Sequence, residues 1–507
     1  MGEPYNAAVD LLERNLAHPE KPAFRQNGRV TTYGDLCERA NRAGNALAGL
    51  GLQIEQRVLL CMLDTPDFAA VFWGALKAGF VPVPVNTLLT TADYDYLLRD
   101  SRARVLVVSA PLLAKLEPIV RGQPFLRSVV VAGGPVPAGQ ASLDDLLAKA
   151  SPHLDPAPTH RDDVAFWLYS SGSTGQPKGA MHLHGDLAET ARLYGKGVLG
   201  IRPDDLGYSA AKLFFAYGLG NAMTFPFAMG ACSVLLEERP TPQSVVKLLR
   251  EERPTLFFGV PTLFAAILAD PAATDLGGRL RFCVSAGEPL PRDIGMRWRE
   301  RYGVDILDGI GSTEMLHIFL SLRPGDIRYG TTGKPVPGYD VQIVDEQDRP
   351  VDRGEIGELR VRGPSSAIAY WNNREKSVHA FRGPWTYTGD KYQQDPEGYF
   401  VYCGRSDDMI KAGGQWVSPA EVEAALVAHP CVLECAVVAH KDENQLDKPK
   451  AFVVLKPGVR ATADELQRFV KERLAPFKYP RWVEFLDALP KTATGKIQRF
   501  KLRQPHS

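Results

Sequence analysis

Strand-like and helix-like segments alternate along the first part of the chain, and this alternation restricts its fold more than any other feature. Apolar runs at residues 58–63 (VLLCML), 81–85 (VPVPV) and 104–110 (RVLVVSA) are typical of strands. Residues 67–80 and 91–101 lie between these runs and carry apolar side chains at helical spacing. The same alternation returns between residues 245 and 313. Strands that alternate with helices predict an α/β fold of layers with parallel strand pairing.

The pattern changes after about residue 330. Short strand-like runs with glycine turns at residues 341–345, 354–363 and 398–414 indicate a β-rich subdomain. In the last hundred residues, 418–421 (SPAE) and 462–465 (TADE) predict two helices that begin with capping boxes, and strand-like runs lie between them. We therefore predict a large N-terminal domain over residues 1–406 and a small α+β domain over residues 407–507, whose mobility is implied only by the family resemblance given below. The polar segment 405–408 (RSDD) is the expected linker.

Composition and charge argue against several kinds of partner. The 59 Lys and Arg residues balance the 59 Asp and Glu residues, so no overall charge favours nucleic acid or an anionic membrane. The uncharged segment 213–236 contains three glycines and a proline, and we expect a buried loop, helix and strand there instead of a membrane span. The seven cysteines are irregularly spaced, which favours reduced thiols over a zinc site and indicates a cytoplasmic location.

The strongest local signal is the sequence YSSGSTGQPKG at residues 169–179, directly after an apolar strand-like run. Hydroxyl side chains, glycines with accessible backbone N–H groups and the charge of Lys178 are what a phosphate-binding loop requires. The spacing differs from that of a Walker A loop. Residues 195–200 (GKGVLG) match a dinucleotide motif in letters only, because they follow a helix-like segment and not a strand.

The loop at residues 170–179 resembles the signature of the AMP-forming acyl- and aryl-CoA synthetases, an adenylate-forming superfamily. Five further segments match that family in order and extend over nearly the whole chain: residues 308–314 (DGIGSTE), 387–390 (YTGD), 404–408 (GRSDD), 413–421 (GGQWVSPAE) and 490–496 (PKTATGK). The resemblance implies two half-reactions. A carboxylate first displaces pyrophosphate from ATP, and after the small domain rotates, the thiol of CoA displaces AMP. ATP, Mg²⁺ and CoA are the implied co-substrates, with no tightly bound organic cofactor.

The same resemblance implies roles for individual residues. It makes Glu314 the Mg²⁺ ligand, Lys496 the catalyst of adenylation and Asp407 the domain hinge, and it places Gly413 and Gly414 along the CoA tunnel. The implied ATP- and AMP-binding residues are Ser170, Ser171, Gly172, Ser173, Thr174, Gly175, Lys178, Ala286, Gly287, Glu288, Asp308, Gly309, Ile310, Gly311, Ser312, Thr313, Asp390 and Arg405.

Two segments are expected to build the acyl pocket, and both resemble the benzoate-CoA ligase branch of the family. The candidate lining residues are Phe215, Ala216, Tyr217, Gly311, His317 and Ile318. Aromatic side chains can stack on a flat ring, and residues 213–236 offer no carboxylate to pair with the ammonium group of an amino acid. His317 either bonds to a ring substituent or caps local backbone. The expected substrate is benzoate or a small substituted benzoate such as 4-hydroxybenzoate.

Three other activities remain open at this stage. A medium-chain fatty acyl-CoA synthetase would need a longer pocket, a luciferase-like enzyme would share only the first half-reaction, and a catalytically silent nucleotide-binding protein would not need Lys496. A homodimer is a candidate assembly. Because acetylation would remove the charge of Lys496, a lysine acetyltransferase is a candidate partner.

Overall fold

The computed structural model describes residues 3–170, 176–406, 408–412, 415–443, 446–475, 478–491 and 497–503. The strands are β1 (Pro22–Gln26), β2 (Arg29–Thr32), β3 (Arg57–Cys61), β4 (Val81–Pro84), β5 (Val105–Ser109), β6 (Ser128–Ala132), β7 (Ala141–Ser142), β8 (Val164–Ser170), β9 (Lys178–Leu183), β10 (Leu206–Ser209), β11 (Cys232–Val234), β12 (Leu256–Gly259), β13 (Phe282–Ser285), β14 (Ile306–Gly311), β15 (Ile318–Ser321), β16 (Lys334–Pro335), β17 (Asp340–Val344), β18 (Gly357–Arg362), β19 (Ala369–Tyr370), β20 (Phe381–Arg382), β21 (Trp385–Gln394), β22 (Phe400–Arg405), β23 (Ile410–Ala412), β24 (Gln415–Val417), β25 (Val432–Lys441), β26 (Asp447–Leu455) and β27 (Trp482–Phe485).

The α-helices are α1 (Ala7–Leu11), α2 (Tyr33–Gly49), α3 (Pro66–Lys77), α4 (Thr91–Ser101), α5 (Leu113–Val120), α6 (Leu143–Lys149), α7 (His184–Thr190), α8 (Ala216–Leu219), α9 (Phe225–Met229), α10 (Pro242–Glu252), α11 (Pro261–Ala269), α12 (Arg292–Tyr302), α13 (Arg374–Ala380), α14 (Pro419–Val427), α15 (Ala463–Lys471) and α16 (Arg499–Leu502). Short 3₁₀ segments cover Glu13–Ala17, Ala110–Leu112 and Thr313–Met315, and π-helical segments cover Ala191–Lys196 and Gly220–Thr224.

Two sheets with parallel cores form the large N-terminal part, as the alternation of strands and helices predicts. One is the all-parallel sheet β4-β3-β5-β6-β7. The other has nine strands in the order β16-β15-β14-β13-β12-β10-β11-β1-β2, with parallel pairing from β14 to β1. Helix α2 crosses closely over α3, where a Cβ on Gly74 would lie 2.3 Å from the carbonyl oxygen of Ala40. This contact therefore requires glycine at position 74.

The predicted β-rich region after residue 330 is a mainly antiparallel sheet in the order β17-β18-β21-β20, with β22 paired to β21. The C-terminal unit is a three-stranded sheet, β25-β26-β27, covered by α14 and α15. Thr462 forms the complete capping box that its sequence predicts. The capping box predicted at Ser418 is wrong in one half: Ser418 accepts the N–H of Glu421, but the Glu421 carboxylate accepts from Lys478 Nζ at 2.7 Å. The Glu421 side chain therefore pairs with the Lys478 ammonium and does not complete the capping box.

Four smaller expectations can be compared with the structure. Residues 213–236 form a loop, two short α-helices around a π-helical segment, and strand β11, as predicted. The glycine pattern at 195–200 begins inside a π-helical segment and has no strand before it. Among the described helices, none combines the length and apolar character that a membrane crossing needs. Arg405 still belongs to β22, so the expected linker begins one residue later than its sequence indicates, and the 406/407 domain boundary stays a prediction.

Candidate active site

A cavity of about 2300 Å³ opens at the carboxyl ends of parallel strands β10, β12, β13 and β14. Ligands of open α/β sheets bind at this edge, because the loops that leave the strands converge there. The cavity wall includes every predicted site residue within the described ranges: Ser170, Lys178, Phe215, Ala216, Tyr217, Ala286, Gly287, Glu288, Asp308, Gly309, Ile310, Gly311, Ser312, Thr313, Glu314, His317, Ile318, Asp390 and Arg405. The remaining predicted residues lie outside the described ranges: Ser171, Gly172, Ser173, Thr174, Gly175, Asp407, Gly413, Gly414 and Lys496.

The hairpin of β8 and β9 carries the two ends of the predicted phosphate loop. In its antiparallel register Ser170 lies opposite Lys178. The apolar run before Ser170 is buried between layers, which holds the hairpin base rigidly. Lys178 Nζ lies 4.3 Å from the ring centroid of Tyr370 and 3.3 Å from its hydroxyl. Burial lowers the pKa of Lys178, and the nearby Glu314 offsets only part of that effect.

Glu314 is the centre of a small polar cluster. Its Oε1 accepts hydrogen bonds from the hydroxyls of Tyr370 at 2.7 Å and Ser170 at 3.1 Å. Burial alone would raise its pKa, but the Tyr370 hydroxyl, the charge of Lys178 and the other donors lower the pKa on balance. Glu314 is therefore ionised at neutral pH.

The donor set around Glu314 suits one kind of metal. Among the residues that the structure describes, no three His, Cys, Asp or Glu side chains converge as metal ligands. A lone carboxylate suits Mg²⁺, which keeps several waters and takes further oxygen ligands from nucleotide phosphates. The residues present thus fit Mg²⁺ that arrives with a nucleotide, and they do not form a preformed protein cage.

Asp390 and Arg405 are brought together by neighbouring strands. They are opposite each other in the register of β21 and β22, and Arg405 Nη1 lies 3.1 Å from Asp390 Oδ1. The same nitrogen donates to the carbonyl of Thr388 at 3.0 Å. Gly389 has φ +73°, and a Cβ there would come within 2.9 Å of Arg405 Nη2. The glycine between Thr388 and Asp390 thus allows the arginine to lie across the turn.

The ends of β13 and β14 supply the cavity wall next to these groups. Asp308 is buried on β14, and burial raises its pKa well above the usual range although two backbone N–H groups donate to it. A Cβ on Gly309 would lie 3.0 Å from the Ile318 side chain, and one on Gly311 would lie 2.5 Å from the carbonyl oxygen of His317. Only glycine at these positions permits β14 to approach β15 this closely where the two strands form the cavity wall.

An aromatic cluster occupies the predicted acyl-binding part. The His317 ring centroid lies 4.4 Å from that of Phe225, 5.4 Å from that of Tyr194 and 5.7 Å from that of Tyr217. Tyr217 donates its hydroxyl to the carbonyl of Val284 at 3.0 Å, so the orientation of its ring is fixed. The rings are tilted against one another by 35° to 59°, and together they form an aromatic surface that favours offset or edge-to-face packing of another ring.

His317 itself is buried and neutral. Burial lowers its pKa to about 3. Neither ring nitrogen forms a well-directed hydrogen bond with the described residues. The backbone of Tyr217 opposes the effect of burial on the pKa of His317, so the alternative of a local backbone contact stays open. A buried polar atom without a well-directed partner is uncommon and costly, and a substituent on a bound ring could supply one.

Sequence analysis missed two groups that support the site. Tyr370 reaches Glu314 only because β19 pairs with β9 at the edge of the hairpin sheet. His182 is fully buried; its Nδ1 lies 2.9 Å from Asp186 and its Nε2 lies 2.7 Å from the carbonyl oxygen of Thr313, next to Glu314. The motif at 308–314 gave no signal for either group, because both contacts join distant parts of the chain.

The fold and the site together define a nucleotide-using enzyme, and the chain belongs to the AMP-binding enzyme family. That family matches residues 12–371, and the AMP-binding enzyme C-terminal domain matches residues 421–496. The chain is 57% identical to benzoate–CoA ligase of Thauera aromatica, covering 99% of this chain and 96% of that protein. It is 50% identical to 4-hydroxybenzoate–CoA/benzoate–CoA ligase of Rhodopseudomonas palustris, covering 99% and 94%.

A solved structure agrees with these relatives. The crystal structure of a benzoate CoA ligase from Burkholderia xenovorans LB400 superposes with a TM-score of 0.92 at 49% identity, covering 99% of this chain and all of that one. The predicted fold class, an α/β N-terminal part with a β-rich subdomain and a small α+β C-terminal part, is confirmed. The resemblance inferred from the six motifs is confirmed as well.

Proposed function

We propose that this protein joins an aromatic carboxylic acid, benzoate or a small substituted benzoate such as 4-hydroxybenzoate, to CoA in an AMP-forming reaction. One observation carries the proposal: the aromatic rings of His317 and Tyr217 line the same cavity as the polar cluster of Glu314 and Lys178. An aromatic ring and a polyphosphate can therefore bind side by side. The relatives described above support the same substrate class.

The first half-reaction joins the acid to the nucleotide. A carboxylate oxygen attacks the α-phosphorus of ATP, the bond from that phosphorus to the bridging oxygen breaks, and pyrophosphate leaves. Lys178 and the loop at the β8–β9 hairpin bind phosphate oxygens, and Asp390 accepts hydrogen bonds from ribose hydroxyls. Glu314 holds Mg²⁺, which when bound neutralises negative charge on the phosphates. Lys496 places an ammonium between the two anions that must meet.

The second half-reaction releases AMP. The C-terminal domain, residues 407–507, reorients about Asp407, and Gly413 and Gly414 line the path of the CoA pantetheine arm. The CoA sulfur then attacks the acyl carbon, the thiol proton is released and AMP leaves. A cytoplasmic location, a homodimer and acetylation of Lys496 remain predictions.

The test measures AMP and CoA-thioester formation from ATP, Mg²⁺ and CoA with benzoate, 4-hydroxybenzoate, 2-aminobenzoate, cinnamate, hexanoate and octanoate. We expect the highest kcat/KM with benzoate or a small substituted benzoate. A clear preference for hexanoate or octanoate would contradict the substrate class while leaving the AMP-forming chemistry in place. No thioester with any acid, despite bound nucleotide, would favour a silent nucleotide-binding protein.

The role of Lys496 has its own matched control. Lys496→Ala should abolish pyrophosphate release but still convert added acyl-adenylate to thioester. Lys501 lies five residues further on in helix α16, is itself exposed and is absent from the cavity wall. Lys501→Ala should keep both half-reactions. If Lys496→Ala keeps near-normal pyrophosphate release, the proposed role is wrong.

A further inference from the structure

A buried ion pair lies on the cavity wall at the start of the acyl-pocket segment, and none of the motifs includes it. Asp64 follows strand β3 in the first sheet, and Lys212 follows β10 in the nine-stranded sheet. Their side chains are 7% and 15% exposed, and Lys212 Nζ lies 3.9 Å from Asp64 Oδ2. Both residues line the same cavity as Phe215 and Tyr217. The pair therefore joins two sheets directly beside the proposed acyl pocket.

Each member of the pair holds a different part of the chain. The N–H of Leu213 donates to Asp64, 3.2 Å from Oδ1 and 3.3 Å from Oδ2. Lys212 Nζ donates to the carbonyl of Leu236, to that of Glu237 at 3.2 Å and to that of Glu238 at 2.7 Å. The Lys212 ammonium is thus surrounded by the carbonyl groups of residues 236–238, which follow strand β11. The Asp64 carboxylate fixes Leu213, the residue at which the acyl-pocket segment begins.

The segment that starts at Leu213 has little freedom of its own. Phe215 donates its N–H to the carbonyl of Lys212 at 3.0 Å, and a Cβ on Gly218 would lie 2.1 Å from that same carbonyl oxygen. The turn from Lys212 to Gly218 is therefore tightly closed. A shift of Lys212 or Leu213 is transmitted directly to the rings of Phe215 and Tyr217, because a closed turn moves as one piece.

The charges of the pair are consistent with this arrangement. Burial raises the pKa of Asp64 to about 6, although Lys212 and the Leu213 N–H oppose that effect. Burial lowers the pKa of Lys212, opposed by Asp64. A buried pair of this kind adds little net stability, but removing one partner leaves an uncompensated buried charge. Its more direct use is to fix geometry.

We propose that Asp64 and Lys212 are positioning residues that fix the wall of the acyl pocket and so determine which acids the cavity accepts; this rests on the proposed function. Neither residue needs to touch the substrate. Their effect passes through the backbone of Leu213 to the aromatic rings of the pocket.

The test uses the full-length chain with the substitutions Asp64→Ala, Asp64→Asn and Lys212→Met. Pyrophosphate release is measured with benzoate, cinnamate and hexanoate, together with the KM for each acid and for ATP. We expect Asp64→Ala and Lys212→Met to raise the KM for benzoate at least tenfold and leave the KM for ATP within twofold. We also expect the preference for benzoate over cinnamate and hexanoate to fall at least fivefold. Asp64→Asn keeps an acceptor for the Leu213 N–H and should restore most of the preference.

Asp205 provides a matched control. It is also a buried carboxylate; it pairs with Arg281, accepts the Thr255 hydroxyl at 2.7 Å, and lies away from the cavity wall. Asp205→Asn should leave the acid preference unchanged even if it lowers stability. If Asp64→Ala and Lys212→Met keep the acid preference as Asp205→Asn does, the pair is merely structural and the proposal is overturned.

Two further outcomes are distinguishable. If Asp64→Ala does not fold, the acid preference of Lys212→Met alone decides the question. If the unmodified protein activates none of the aromatic acids, the proposed function fails before the variants are compared.

Discussion

Replacing His317 gives a quantitative test of the acyl pocket. The ring is 3% exposed and neutral, and neither of its nitrogens forms a well-directed hydrogen bond with the described residues. If a ring nitrogen binds the hydroxyl of 4-hydroxybenzoate, that bond forms in a dry site with no competing water. A buried polar group that loses its partner costs about 1–3 kcal/mol. At 1.36 kcal/mol per factor of ten, His317→Leu should lower the 4-hydroxybenzoate to benzoate ratio of kcat/KM by about fivefold to 150-fold.

The assay is pyrophosphate release with each acid, at pH 7 and again at pH 8.5. Because the pKa of His317 is about 3, the ratio should be the same at both values. His184 is the matched control: it is also buried and is absent from the cavity wall. His184→Leu should affect both acids equally. An unchanged ratio in His317→Leu, with an active enzyme, would refute the role of His317 in recognising the ring substituent.

Three further predictions follow from particular contacts. Glu314→Gln should raise the Mg²⁺ concentration needed for half-maximal pyrophosphate release at least tenfold, because an amide is a poor Mg²⁺ ligand; a magnesium titration measures this. Gly220→Ala would place a Cβ 2.3 Å from His317 Cδ2, and such overpacking costs about 1–3 kcal/mol. The substitution should lower kcat/KM for benzoate and lower kcat/KM for the thinner hexanoate by a smaller factor. Burial lowers the pKa of His184 to about 4, below the usual 6.5, so its contribution to stability is full above pH 6.5 and is lost as the pH falls toward 4. His184→Asn should therefore flatten the acid limb of an unfolding-against-pH profile followed by circular dichroism.

Local sequence patterns predicted many of the strands and helices correctly. The strand-like runs at 81–85 and 104–110 and the helical run at 91–101 coincide with β4, β5 and α4 to within one residue. These elements are set by side-chain periodicity and by turn and capping residues, which act over a few positions. The Ser418 capping box is an exception. The Glu421 carboxylate, which the local pattern predicts to cap the helix, instead accepts a hydrogen bond from a lysine 57 residues away.

The site residues also fall into those that local motifs reveal and those that only long-range contacts bring in. Glu314, Asp390 and Lys178 could be found from short motifs, because each motif is a loop whose chemistry lies in its own residues. Tyr370 could not, since it reaches Glu314 through an edge strand 56 residues further along the chain.

The sequence by itself determined the layers, the order of the elements and the chemistry of the loops at the carboxyl ends of the strands. Only the tertiary structure decided that His317 lies buried among aromatic rings and that Asp64 holds Leu213, 149 residues away. The physical reason is range. Backbone hydrogen bonds and apolar periodicity are local, whereas burial, which shifts a pKa or leaves a ring nitrogen without a partner, depends on every layer packed around the group.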